Sequence, residues 1–196
     1  MYLFFDTETT GFYNFKAAPT DPSQPKIVQL AALLVDDDAL IRSSINVLIN
    51  PGVKIPPEAS NVHGITNEVA AEFGMPVEVG LLLLAEMAKR AHQLVAHNIN
   101  FDAHVVRSEF ARSPSENLAK REDALGRLPV FCTMIAATPY CRLPKAKQRH
   151  ETDYKWPSLV EAHQFFFGEP FDGAHDALAD ARACMRVFFE LKRRTQ

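Results

Sequence analysis

The sequence predicts one α/β domain built around a mixed sheet, and three observations lead to that fold class. The N-terminal quarter contains three strand-like segments separated by turns. The remainder alternates segments of helical apolar spacing with short apolar strands. With 196 residues, of which 47% are hydrophobic and 23% charged, the chain can fill one core but not two. We therefore expect a single domain that covers residues 1–196.

The N-terminal strands are predicted to form an antiparallel meander. They cover Tyr2–Phe5, Ile27–Val35 and Leu40–Ile49. The first strand runs into the turn-like segment Asp-Thr-Glu-Thr-Thr-Gly, and the polar segment Tyr13–Lys26 forms the loop to the second. Asp36-Asp37-Asp38 is typical of a hairpin turn. Because the first strand is rich in large apolar side chains, we expect it to lie in the middle of the sheet.

Helices and short strands alternate in the rest of the chain. Helical patterns cover Asn67–Phe73, Val77–His92, Phe101–Arg112, Ser158–Phe167 and Asp176–Arg194, and short strands are predicted at Gln93–Ala96 and Val130–Thr133. The segment Pro139–Lys155 is interpreted as a basic loop that carries Arg142, Lys145, Lys147 and Arg149. Its charges could follow a phosphate backbone or simply face solvent.

Composition argues against several classes of protein. The longest apolar run, Val79–Ala85, is too short to cross a bilayer, and the N-terminus lacks the basic region of a secretory signal. Three cysteines without Cys-x-x-Cys spacing fit a reducing cytoplasm and predict neither a disulfide framework nor a zinc ribbon. A net charge of −3 argues against a passive polyanion binder. We expect a cytoplasmic protein without membrane contact.

Asp6 and Glu8 stand two residues apart at the end of the first strand. Because a strand repeats every two residues, both carboxylates point to the same face. Two neighbouring anions on an apolar strand repel each other unless a cation lies between them, and a divalent metal is the usual cation. A surface strand whose acids face water is the alternative, and the apolar flank Leu3-Phe4-Phe5 counts against it.

Two further segments place acids and a histidine at helix starts. Asp102 opens a helix, where an Asp commonly stabilises the first turn. His175 precedes the last helix on a loop begun by Gly173, and Asp180 lies one turn inside that helix among small residues. Taken alone, each residue is explained at least as well by capping or by an exposed position.

The complete set of motifs, in this order, resembles one known family. Asp6-Thr7-Glu8-Thr9-Thr10-Gly11, Asn98-Ile99-Asn100-Phe101-Asp102 and His175-Asp176-Ala177-Leu178-Ala179-Asp180 are similar to the three motifs of the DEDDh (DnaQ-like) 3′–5′ exonucleases. Val62-His63-Gly64-Ile65-Thr66 is similar to a further segment of the branch that contains the proofreading epsilon subunit of bacterial DNA polymerase III. The resemblance extends over nearly the whole chain and implies a ribonuclease-H-like fold.

The resemblance implies a two-metal phosphodiesterase that acts on the 3′ end of single-stranded DNA. Asp6, Glu8, Asp102 and Asp180 would hold two Mg²⁺ or Mn²⁺ ions, which are hard cations that take carboxylate oxygens. His175 would accept a proton from the attacking water, because an imidazole titrates near neutral pH. These five residues form the candidate catalytic set.

The same resemblance implies contacts with the terminal nucleotide. The turn Thr9-Thr10-Gly11-Phe12 would meet it through backbone N–H groups and an apolar side chain. His63, Asn98 and Phe101 are further candidates for substrate contact. Each has a structural alternative, namely a turn glycine for Gly11, a structural histidine for His63, a helix cap for Asn98 and core packing for Phe101.

Other functions compete with a DNA exonuclease. An RNA exonuclease of the same family would use the same catalytic set and add a pocket for the ribose 2′-hydroxyl. A non-catalytic nucleic-acid-binding module would tolerate loss of any of the five residues, all of which are present. Hydrolysis of a free dinucleotide is a third option. The expected partners are a single-stranded DNA or RNA 3′ end, a nucleoside monophosphate product and, by analogy, a DNA polymerase.

Overall fold

The computed structural model describes residues 1–147, 150 and 153–195. Its strands are β1 (Tyr2–Thr9), β2 (Ile27–Val35), β3 (Ile41–Leu48), β4 (Gln93–Ala96), β5 (Val130–Cys132), β6 (Leu143–Pro144) and β7 (Tyr154–Lys155). Its helices are α1 (Pro57–His63), α2 (Asn67–Phe73), α3 (Val77–Ala88), α4 (Ile99–Arg112), α5 (Glu116–Ala119), α6 (Glu122–Gly126), α7 (Thr133–Cys141), α8 (Leu159–Phe167) and α9 (Ala177–Thr195).

A mixed five-stranded sheet in the order β3-β2-β1-β4-β5 forms the centre of the molecule. β1, β2 and β3 are antiparallel neighbours, whereas β4 and β5 run parallel to β1. β1 therefore lies in the middle of the sheet, as its apolar sequence predicts. The antiparallel meander followed by alternating helices and strands is confirmed.

Alternate residues of β1 enter cores on opposite faces of the sheet. Leu3 and Phe5 pack in the cluster formed with α3 and α4, whereas Tyr2 and Phe4 pack against α9. The rings of Phe4 and Phe188 meet edge to face, with centroids 5.3 Å apart. Both faces are covered, so every residue of β2 is buried. The same alternation carries the acidic end of β1 onto the α9 face.

The first strand is longer than the sequence predicts. β1 continues to Thr9 instead of ending before the acidic motif, because Asp6 pairs with Ala31 and Glu8 pairs with Gln29 of β2. The register shifts only between Glu8 and Thr9. The acidic side chains therefore project from a hydrogen-bonded strand rather than from a turn, which fixes their direction.

The helix limits also differ from the prediction. α3 ends at Ala88 rather than at His92, because the His92 N–H bonds to the Met1 carbonyl and directs the chain into β4. α1, a helix that the sequence analysis does not predict, begins at Pro57, whose fixed φ suits a first helical turn. α7 occupies the start of the predicted basic loop and contains Pro139.

The remainder of the predicted basic loop includes the short hairpin β6–β7. Lys145 pairs with Asp153, and the Lys155 Nζ lies 2.7 Å from Glu161 Oε1. These pairs reduce the positive charge that the segment offers to a phosphate backbone. Arg149 lies outside the described residues.

All three cysteines carry free thiols. Within the ranges that the structure describes, the helices are too short or too polar to cross a membrane.

Candidate active site

The acidic side chains meet at the edge of the sheet where the parallel strands β1 and β4 end. Asp6 and Glu8 lie on β1, and Asp102 lies in the first turn of α4, directly after β4. Asp180 lies in the first turn of α9, which packs across β1 and β2. Each of the other three charges raises the pKa of Asp6, so all four predicted acids share one site.

The carboxylate of Asp102 is buried and held by β1 itself. Its Oδ1 accepts hydrogen bonds from the backbone N–H of Thr7 at 3.0 Å and from the Thr7 hydroxyl at 2.8 Å. Thr7 lies between Asp6 and Glu8 and points to the opposite face of the strand. One strand thus presents two acids and fixes a third. The motifs predict Asp102 but miss this role of Thr7.

Burial and crowding raise the pKa values of all four carboxyl groups. Burial is the largest cause each time; the pKa rises to about 8 for Glu8 and to about 6 for Asp180. The pKa of Asp102 rises to about 7 even though the hydrogen bonds from Thr7 lower it. The pKa of Asp6 rises well above its ordinary value, first through burial and then through the neighbouring acids. Without a cation, the protein therefore disfavours the state in which all four carboxyl groups are ionised.

Glu8, His175 and Asp180 come together, with one ligand atom of each within 4.8 Å of the others. His175 is exposed and lies just before α9 in a left-handed backbone conformation with a φ of 68°. The predicted histidine is therefore at the acids, on a loop and outside the helix. It can approach a water molecule in the site without being enclosed by the core.

The site fits a hard divalent cation by its own chemistry. The Oδ1 of Asp180 is buried and has no hydrogen-bond partner among the described residues. An unpartnered buried carboxylate oxygen is unfavourable, and a cation would supply the missing partner. Four carboxylates offer the oxygen ligands that Mg²⁺ and Mn²⁺ take, and a cation among them would favour their ionised forms.

Gln29 holds the start of α9 against the sheet, a role that sequence analysis missed. Its Nε2 donates to Asp176 Oδ2 at 2.8 Å and to Asn46 Oδ1 at 3.0 Å, and its Oε1 accepts from the Ala177 N–H at 3.1 Å. Asp176 Oδ1 in turn accepts from the N–H groups of residues 178 and 179. A lone glutamine in an otherwise apolar strand is the signal that could have identified it.

His63 joins the same edge from α1. Its Nδ1 accepts a hydrogen bond from the Ile65 N–H at 3.1 Å, and its Nε2 is buried without a partner among the described residues. Burial lowers the pKa of His63, the charge of His175 lowers it further, and the backbone of Thr9 raises it. The predicted His-Gly-Ile-Thr segment therefore lies beside both the acidic strand and His175.

The predicted substrate turn leaves β1 with an exposed tip. The Thr10 N–H bonds to the Lys26 carbonyl at 2.9 Å, and Thr9 Oγ1 donates to the Gly11 carbonyl at 2.7 Å. A Cβ at Gly11 would meet no protein atom within 4 Å. The Phe12 ring is 95% exposed. This side chain has no packing role within the described chain and is available to a ligand.

Helix capping was the structural alternative for Asn98 and core packing was the alternative for Phe101, and the structure supports only the second. Asn98 precedes α4 with a φ of 61°, but its side chain makes no capping hydrogen bond. Its amide is exposed at the edge where the acids lie. Phe101 is partly buried against the core cluster of α3 and α4. Core packing therefore accounts for part of the Phe101 surface, and its contact with substrate stays a prediction.

Comparison with known proteins identifies a family. The RNase T family model, described as an exonuclease, matches residues 3–188. The chain is 29% identical over 197 residues to a DNA polymerase III subunit epsilon-like protein of Rhodobacter capsulatus, covering 97% of this chain and 23% of that protein. It is 27% identical over 186 residues to DNA polymerase III subunit epsilon of Treponema pallidum, covering 94% and 73%.

A solved structure supports the same fold. Escherichia coli exonuclease I in complex with a dT13 oligonucleotide matches with a TM-score of 0.69 and 18% identity, over 98% of this chain and 40% of that one. The ribonuclease-H-like fold implied by the motifs is thereby confirmed. The chain spans less than half the length of the Rhodobacter capsulatus protein and of exonuclease I.

Replacing Gln29 tests the hydrogen bonds that fix α9. Gln29→Ala is expected to lower the free energy of unfolding by about 1–3 kcal/mol, because it leaves buried polar groups unpaired. Gln29→Glu places a carboxylate beside that of Asp176, so its stability relative to the parent protein should fall as the pH rises. Denaturant unfolding at about pH 5 and pH 8 measures both effects.

The control is Gln164→Ala, which removes one exposed amide that donates to the Gly168 carbonyl. It should lower the free energy of unfolding by about 0.5 kcal/mol or less. An equal loss in the control would contradict the positioning role.

The raised pKa values predict how the metal-free protein responds to pH. Between the ordinary pKa values near 4 and the raised values of about 6 to 8, the folded state binds more protons than the unfolded state. In chelator, the free energy of unfolding should therefore fall as the pH rises from about 5 to 8, by up to about 1.4 kcal/mol per pH unit for each extra proton. Glu8→Gln should reduce this slope and raise stability at about pH 8. A stability that stays flat or increases over this range in the parent protein would show that burial and mutual charge do not raise these pKa values.

Proposed function

Because this chain belongs to the RNase T exonuclease family, we propose that it removes nucleotides from the 3′ end of single-stranded DNA. The observation that carries the proposal is the convergence of four acids from β1, α4 and α9 beside one exposed histidine at the sheet edge. Residues 1–196 are proposed to act as one exonuclease domain. The chain spans less than half the length of some relatives, so its activity, substrate and partners are proposed for it separately.

The proposed cofactors are two Mg²⁺ or Mn²⁺ ions held by Asp6, Glu8, Asp102 and Asp180. The unpartnered Oδ1 of Asp180 and the raised carboxyl pKa values support a cation at this site. When bound, such cations supply positive charge for the reacting phosphate and the leaving oxygen. The protein's contribution is a rigid frame, since β1 carries two of the acids and fixes Asp102 through Thr7.

His175 is proposed to act as the general base. A water molecule transfers a proton to the imidazole as its oxygen attacks the phosphorus of the terminal phosphodiester. The bond between phosphorus and the 3′ oxygen of the preceding nucleotide breaks, that oxygen takes a proton from solvent to become the new 3′-hydroxyl, and a nucleoside monophosphate leaves. The position of His175 on a loop beside Glu8 and Asp180 supports this role.

The neighbouring residues are proposed to hold the terminal nucleotide. Gly11 has open space beside it and Phe12 offers an exposed ring for a base, and Thr9 and Thr10 belong to the same turn. The imidazole of His63 lies beside the same turn and beside His175, which suits a contact with substrate. Asn98, with an uncommitted exposed amide, and Phe101 complete the proposed set.

DNA is proposed as the substrate rather than RNA. The relatives include DNA polymerase III subunit epsilon and an epsilon-like protein, and exonuclease I of the same fold has been solved with a DNA oligonucleotide. A DNA polymerase partner is proposed from the same relatives alone. A cytoplasmic location is proposed because the three cysteines carry free thiols.

Initial rates on single-stranded DNA, duplex DNA and RNA of one sequence test the substrate class. Faster cleavage of RNA than of single-stranded DNA would overturn DNA as the substrate.

His175→Ala separates a general base from a metal ligand. The variant should lower kcat by roughly 10²–10⁴-fold, because a general base contributes about this much, while Mg²⁺ affinity and single-strand binding stay near the parent values. Steady-state kinetics and calorimetric metal titration provide the measurements. A loss of metal binding equal to that of Asp180→Asn would make His175 a ligand, and an unchanged kcat would remove it from the mechanism.

Metal removal tests the role of the acids. Chelator should abolish hydrolysis, and added Mg²⁺ or Mn²⁺ should restore it, because four crowded carboxylates need a cation to be ionised together. Asp180→Asn should weaken metal binding and lower turnover without unfolding the protein. A matched control is Asp172→Asn, which changes an exposed acid on the loop before His175 and should leave both properties unchanged. Full activity after exhaustive chelation would exclude the proposed cofactors.

A further inference from the structure

The sheet edge that carries the acids continues into a groove that extends beyond the second motif, whose residues line only one end of it. The groove begins at Asn98 and Asn100, just before Asp102, and continues between Ile135 of α7 and the indole of Trp156. Its volume of about 500 Å³ is in the range of ligand-binding clefts. We refer to the surface formed by Asn98, Asn100, Ile135, Trp156, Tyr154 and Arg142 as the Trp156 groove.

The groove extends away from the acids toward a cation. Ile135 and Trp156 also line an adjoining depression together with Tyr154 and Arg142. Amide groups thus stand at the end near the active site, apolar and aromatic side chains in the middle, and a guanidinium at the far end. Since Lys145 and Lys155 are already paired with acids, Arg142 is the cation that this surface contributes.

Large apolar side chains are exposed along the groove. Trp156 is 62% exposed and Ile135 is 59% exposed. Exposed apolar surface beside a cleft typically marks a binding site. The flat face of an indole combined with a nearby guanidinium is the pairing with which proteins hold unpaired bases and their phosphates.

The segment that presents Trp156 is anchored rather than loose. The next residue, Pro157, accepts a hydrogen bond through its carbonyl from His97 Nε2 at 2.9 Å, and His97 Nδ1 lies 3.0 Å from Thr133 Oγ1. Ser158 then caps α8 in a reciprocal arrangement with Glu161. These contacts join the Trp156 segment to the end of β4, from which the acidic site is built. The indole is therefore positioned relative to the acids before any ligand binds.

We propose that the Trp156 groove binds the single strand on the 5′ side of the scissile bond, with a base stacked on Trp156 and a phosphate near Arg142. The proposal rests on the proposed exonuclease function. Continuity with the acidic site favours a nucleic-acid strand over an apolar protein segment, because a strand whose 3′ end reaches the acids has to leave along an adjoining surface. The contacts involve base faces and phosphates, so this surface should bind without strong sequence preference.

The fluorescence of Trp156 tests the proposal directly, because it is the only tryptophan in the chain. Oligothymidylates with terminal phosphorothioate linkages, which resist cleavage, are titrated into the protein in Mg²⁺. Stacking should quench the emission in a saturable manner for a strand of about twelve nucleotides and much less for a dinucleotide. The result that overturns the proposal is unchanged emission with the longer strand, or equal quenching by both lengths.

Kinetics of Trp156→Ala provide the second test. KM for the longer strand should rise about 10-fold, the effect of losing one stacked base, whereas kcat and dinucleotide hydrolysis should stay at parent values. Trp156→Phe should restore most of the affinity. Phe73→Ala removes an equally exposed ring, also 62% exposed, from a surface outside the groove, and serves as the control. Melting temperatures of all three variants show whether each one is folded.

The outcomes distinguish this proposal from the proposed function. Quenching by the long strand without hydrolysis would retain the groove and overturn the nuclease. Hydrolysis without quenching, and with an unchanged KM in Trp156→Ala, would retain the nuclease and assign the groove to another occupant such as a protein segment. An equal loss of rate on dinucleotide and long strand in Trp156→Ala would place Trp156 at the reacting end and overturn the proposed path.

Discussion

Repulsion among four partly or fully buried carboxyl groups is the constraint on which the rest of this structure depends. Burial and mutual charge raise the pKa values of Glu8, Asp102 and Asp180 to about 8, 7 and 6, so the protein disfavours the state in which all four groups are ionised unless a cation is present. The acids would move apart if their supports were loose. They are instead attached to the central strand of a sheet covered on both faces and to the first turns of two helices. The stability of the core thus holds together a site that is unfavourable by itself.

Polar side chains that belong to no catalytic motif carry much of this restraint. Thr7 bonds Asp102 from the strand between the two other acids, and Gln29 joins β2 to the start of α9. Both are buried, which makes their hydrogen bonds strong and their loss costly. The two residues lie on neighbouring strands at one end of the sheet. The hydrogen bonds of Gln29 fix the start of the helix that carries Asp180, and core packing through residues such as Val187 and Phe188 holds the rest of it against the sheet.

Sequence periodicity predicted those features that depend on neighbouring residues. The two-residue spacing of Asp6 and Glu8 placed them on one face, and the apolar composition of β1 placed that strand in the centre. Asp102 and Asp180 were ambiguous because an Asp in a first helical turn has an ordinary structural use; only the whole set of motifs pointed to a common site. The bond from Gln29 to Asp176 spans 147 residues of sequence, and no local pattern encodes it. The early end of α3 likewise depends on a distant partner, the Met1 carbonyl.

The charges of the chain alone do not favour the binding of nucleic acid at the acidic edge of the sheet. The chain carries a net charge of −3, and Lys145 and Lys155 of the basic segment are held in ion pairs. A phosphate backbone approaching the acidic edge therefore meets repulsion until cations occupy the site. Under the proposed function, affinity comes from the proposed cations at the 3′ end and from contacts that do not depend on net charge. The exposed side chains of Phe12, on the turn after β1, and Trp156, in the groove beyond Asn98, are proposed to provide such contacts. Under the proposed function, strand binding is therefore expected to depend on the metal-loaded state, because cations balance the negative charge of the acidic site.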